Sequence, residues 1–97
     1  MFDAKELLRR ITSQRELESD ALKKANDELD LEKARRVMLY DLRNDEFNTN
    51  IGKNKYILSG IDEADQNVID LEEEIKEIRL RISALTYQLD YMKARNV

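Results

Sequence analysis

The side chains best suited to chemistry gather around the middle of the chain: Arg35, Arg36, Tyr40, Arg43, Lys53, Lys55 and Tyr56. Cationic groups interleaved with tyrosines can hold phosphates and stack a base. The set is a candidate ligand or partner contact. It supports one reading of the chain as an oligomeric helical protein that binds a nucleotide or a nucleic acid. The formal charge of −4 weighs against it, because the molecule as a whole does not attract a polyanion. Arg35 and Arg36 are also expected to meet acidic partners elsewhere in the chain.

Other chemistry is sparse. The sequence has no histidine and no cysteine. That removes the two commonest nucleophile and base arrangements and the usual zinc sites. Glu72, Glu73 and Glu74 are consecutive. On a helix they point in different directions and cannot converge on one cation. Ile51-Gly52-Lys53-Asn54-Lys55 lacks the glycine spacing of a phosphate loop. The expectation is a protein that is not an enzyme, with no catalytic residues, no metal site and no cofactor.

The elements that must position these residues are helical. Charged residues make up 39% of the 97 positions, aromatics only 6%, and proline is absent. That composition belongs to long helices and coiled coils, and one domain is expected at this length. Asp3 and Glu6 form a capping pair from which a first helix runs over about 4–44. Ser13 and Glu16 repeat the pattern, so a break near 12–13, leaving a short separate N-terminal helix, is an open alternative. Asparagines and Gly52 mark a loop over about 45–58. Ser59 is the expected N-cap of a second helix over about 60–95, with Asp62, Glu63 and Asp65 in its first turns.

The second helix carries a strict alternation of three and four: Ile61, Ala64, Val68, Leu71, Ile75, Ile78, Ile82, Leu85, Leu89 and Met92. With Ile61 as position a, these are the a and d positions of a coiled-coil seam. The first helix has a poorer seam. Leu8, Ile11, Leu22, Ala25, Leu29 and Leu39 share it with Arg15, Glu18, Glu32 and Arg36. Such a helix needs a better partner than itself, and the second helix is the nearest. Charge agrees. Asp62 to Glu77 holds eight acids and one base, while the first helix has a basic run of Lys33, Arg35, Arg36 and Arg43. An antiparallel hairpin lays one beside the other. The expected fold is therefore all-α, two long antiparallel helices with a heptad core.

A second apolar face is left over. Leu80, Ala84, Tyr87 and Tyr91 lie roughly opposite the seam, and Leu31, Met38 and Leu42 form an offset line on the first helix. One hairpin covers one face of each helix. A thin seam also leaves a short chain marginal against about 1–2 kcal/mol of backbone entropy per residue. Self-association into a homodimer or a larger bundle supplies the missing burial. These seven residues are the expected oligomer or partner interface.

No apolar run approaches the ~18 residues that span a bilayer. MFDAKELLRR has no apolar signal core. Arg9, Arg10 and Arg15 are offset by Glu6, Glu16 and Glu18, so a membrane-surface helix is not expected. A cytoplasmic location is. The function expected is binding without catalysis: a small adaptor, assembly factor or inhibitor that occupies the surface of a second protein. The size, with an initiating Met, suits a complete bacterial or phage-encoded protein. A purely structural assembly unit is a third reading beside the nucleotide one.

Overall fold

The computed structural model of the chain describes residues 3–45 and 51–95. Over these residues it is an all-α helical hairpin of two helices, α1 (Ala4–Arg43) and α2 (Ile51–Ala94). No strand occurs among the described residues. The chain divides into two compact units. One joins the start of α1 to the end of α2 (Met1–Lys24 with Glu74–Val97), and the other is Ala25–Glu73.

The start of α1 follows from Asp3. Its side-chain Oδ1 accepts from the backbone N–H of Lys5 at 3.0 Å and of Glu6 at 3.3 Å. Two of the unsatisfied donors of the first turn are thereby met. The open alternative of a break at 12–13 is not realised, because α1 is continuous through it. Thr12 instead donates its hydroxyl to the Leu8 carbonyl one turn back, at 2.8 Å. A hydroxyl satisfied in this way no longer competes with the helix for a backbone partner.

The start of α2 corrects the sequence reading. Residues 51–58 of the expected loop and the expected N-cap Ser59 are helical, since α2 begins at Ile51. Of the rest of that segment, 46–50 lies outside the described residues. The physical reason is that the seam continues upstream. Ile57 and Asn54 extend the same three-and-four spacing back from Ile61, and both are half-buried. Burial of that face outweighs the cost of a helical glycine, about 1 kcal/mol.

Gly60 is therefore a contact and not a breaker. A Cβ placed there would lie 3.3 Å from Leu39 Cδ1 and 3.8 Å from an Arg35 guanidinium nitrogen. Bare backbone at this point brings α1 close. The obstructing atom is the end of a flexible side chain, which can turn aside by a few tenths of an ångström. Gly60→Ala is accordingly expected to stabilise the protein by about 0.5 kcal/mol, helix propensity outweighing the adjustment of Leu39. Gly60→Val is expected to destabilise it. Thermal denaturation of the pair checks this, and a lower midpoint for the alanine variant would show that Leu39 cannot move.

The core is narrow and lies where the three-and-four spacing puts it. In the Ala25–Glu73 unit the buried residues are Ala25, Leu29, Ile61, Ala64 and Val68. In the other unit they are Ile75, Ile78, Leu89 and Met92. The remaining seam positions of α2, Leu71, Ile82 and Leu85, are half-buried. Leu8, Ile11 and Leu22 of α1 are half-buried too, as the poorer seam of that helix predicts. No buried side-chain nitrogen or oxygen lacks a partner among the described residues.

Candidate functional site

The charged seam positions of α1 decide which surfaces stay free. Glu18 is only 13% exposed at its side chain and lies 3.1 Å from Arg81 Nε. Gln14 also donates to it, at 3.3 Å. Within the Ala25–Glu73 unit, Arg36 lies 3.6 Å from Asp65, and Arg35 lies 3.3 Å from Glu32 and 3.5 Å from Glu63. The hydrogen bond to Glu63 is the main cause holding the Arg35 guanidinium above its ordinary value, against desolvation. As the partner in α1 advances from Arg36 to Leu39, its neighbour in α2 falls back from Asp65 to Gly60. The pairing is antiparallel, and Arg35 and Arg36 of the basic run of α1 meet Glu63 and Asp65, the beginning of the acidic stretch of α2. Each exposed pair contributes a few tenths of a kcal/mol.

The Glu18 pair differs, because its carboxylate is mostly shielded from water. Removing the guanidinium leaves a shielded charge with one neutral donor. Arg81→Gln is expected to cost about 1–2 kcal/mol, and Glu18→Leu with Arg81→Gln to recover most of it. Urea denaturation of the single and double variants measures this, and an additive double variant would refute the coupling.

These ion pairs split the basic and tyrosine cluster. Arg35 and Arg36 are committed to acids. Arg43 stacks its guanidinium over the Tyr40 ring, 4.8 Å from the centroid. Lys53, Lys55 and Tyr56 sit exposed in the first turns of α2, on helix and not on the expected loop. A shallow hollow of about 470 Å³ lies beside them, lined by Asn54, Lys55, Leu58, Ser59 and Asp62. Asp62 places a carboxylate in that hollow, which opposes an anionic ligand. Among the described residues no acidic cluster is arranged to hold a metal ion. No helix formed by them is long and apolar enough to cross a membrane.

The apolar faces are the more distinctive feature. On α2, Leu80 is 63% exposed, Tyr87 74% and Tyr91 53%, and Ala84 is exposed between them. All four belong to the unit that holds the ends of the chain. They occupy the f and c positions when Ile61 is a, facing away from the seam. Beside Ala84 runs a shallow groove of about 210 Å³, bordered by Gln14, Glu18, Arg81, Leu85 and Gln88. In the Ala25–Glu73 unit, Leu31, Met38 and Leu42 of α1 are likewise exposed. Val37 joins them and was not singled out from the sequence. Its adjacency to Met38 was the available signal. Leu58 and Ile69 of α2 are further exposed apolar positions. Leu58 escaped notice because its segment reads as loop.

Comparison with models of known families, with curated proteins and with solved structures finds no match to this chain.

Proposed function

We propose that the chain is a non-enzymatic coiled-coil module that acts by binding protein, first a second copy of itself and then the surface of a different protein. One observation carries the reading. Large apolar side chains recur at helical spacing on faces that the hairpin leaves uncovered, Leu80, Tyr87 and Tyr91 above all. Single exposed hydrophobes are ordinary, but an aligned set on one helical face marks an interaction site. The three-and-four spacing of the buried residues supports the coiled-coil description.

In this reading the outer face of α2 serves self-association, and Leu31, Val37 and Met38 of α1 serve the second protein. The role is that of an adaptor, assembly factor or inhibitor. The nucleotide reading is less well supported, because Arg35 and Arg36 have carboxylate partners and Asp62 lies in the hollow beside Lys55. The test is the absolute mass in solution over a range of concentrations. A mass above that of one chain supports the reading, and a single-chain mass at every concentration removes its first half.

A further inference from the structure

The arrangement of the two copies is legible from the end of α2, given the self-association proposed above, on which this inference rests. We propose that two copies pair antiparallel through the outer face of α2, about a two-fold axis that passes beside Ala84.

The outer face of α2 is complementary to its own reversal. A two-fold axis perpendicular to two helices maps each edge of the contact onto itself, so f faces f, c faces c, and the b and g edges face their own kind. Such an interface must be complementary to its own reversal. Around Ala84 the sequence of α2 meets that demand on every edge. On the f edge Leu80 and Tyr87 lie four residues before and three residues after Ala84, close enough to symmetric that each leucine meets the partner's tyrosine ring. At c, Ala84 meets its own copy, and its small side chain lets the helices approach. Farther out on c, Glu77 stands opposite Tyr91, whose hydroxyl can donate to the carboxylate. On the b edge Lys76 stands opposite Asp90. On the g edge Glu74 stands opposite Arg95. Every charged pair produced by the reversal is of opposite sign.

The structure leaves these groups free to do this. Leu80, Ala84, Tyr87 and Tyr91 are exposed, as are Glu74, Lys76, Glu77, Asp90 and Arg95. Lys76, Glu74, Glu77 and Asp90 make no ion pair among the described residues. Arg95 already lies over the Tyr91 ring, 5.0 Å from its centroid, on the c and g side where the partner's Glu74 and Glu77 would arrive. Arg81, the other g-edge cation nearby, is occupied by Glu18 and would meet the neutral Gln88. A parallel pairing about a two-fold axis along the helices would instead set each central position on its own copy, Glu77 on Glu77, which is unfavourable.

The experiment is a charge exchange read by dissociation constant, using analytical ultracentrifugation of the full chain. Lys76→Glu breaks two symmetry-related pairs at once and replaces them with repulsion. It is expected to raise the dimer dissociation constant about ten-fold at low salt. Lys76→Glu combined with Asp90→Lys is expected to restore the original value. Both sites are exposed, and circular dichroism confirms that the variants fold. A second readout uses the absence of native cysteine. Ala84→Cys is expected to give a disulfide-linked dimer under mild oxidation, since only close approach of the two α-carbons allows the bond. A dimer that is indifferent to Lys76→Glu and uncrosslinked at position 84 overturns this interface while leaving self-association standing. A monomer at all concentrations overturns both and leaves the face to a different protein.

Discussion

Ile78→Ala is expected to lower stability by about 2–4 kcal/mol and the thermal midpoint by roughly 10 °C or more. Ile78 is 1% exposed and is one of the largest fully buried side chains in the molecule. The position belongs to a one-residue-deep seam between two helices. Such a core has few other residues to close over a cavity, and each lost methyl group is a large share of a small total. Leu17→Ala is the control. Leu17 is exposed, and its loss is expected to change stability by less than about 0.5 kcal/mol. Melts followed by circular dichroism at one fixed protein concentration make the comparison, because association shifts apparent stability by mass action. Equal effects for the two variants would show that the seam is not where the burial lies.

Leu80→Glu together with Tyr87→Glu is expected to raise the dissociation constant of the proposed dimer by at least about a hundred-fold. Each substitution sets a carboxylate into the centre of an apolar contact and removes a large ring or branched side chain from it. Both positions point away from the hairpin seam, so the helices themselves are expected to persist. The concentration dependence of the melting midpoint should then vanish. Met38→Glu, on α1 in the other unit, is expected to leave the association unchanged. Size measurements paired with circular dichroism separate dissociation from unfolding. A double variant that stays dimeric would move the self-contact to another surface.

Much of the fold was legible because the signals were periodic. The α2 seam from Ile61 to Met92 is buried or half-buried throughout, and the mixed seam of α1 from Leu8 to Leu39 holds its charges half-buried as its pattern implied. The cap at Asp3 was readable for the same local reason. The start of α2 was not, because Gly52, Ser59 and Gly60 carry turn chemistry in isolation. What overrides them is tertiary: Ile57 extends the seam, and Gly60 lets Leu39 come close. The pairing of Arg35 and Arg36 with Glu63 and Asp65 followed from blocks of charge. The pairing of Glu18 with Arg81 did not, since a single acid and a single base far apart in sequence meet only when the register is known.

The candidate site divides in the same way. Exposure of Leu80, Tyr87 and Tyr91 follows from their place opposite the seam, so the face was legible from spacing alone. The basic and tyrosine cluster looked coherent in sequence and is less so in space. Its two central arginines are held by carboxylates, and Arg43 lies on Tyr40. A charge count along a chain cannot tell a free cation from a paired one. Position in an antiparallel register can.

The measurement to make first is the mass of the protein in solution, by light scattering on a sizing column across a wide range of concentration. Twice the 11.5 kDa of a single chain is expected, falling towards one chain only on strong dilution. A mass of one chain throughout would contradict it, and Leu80, Tyr87 and Tyr91 would then be exposed for some other protein to cover.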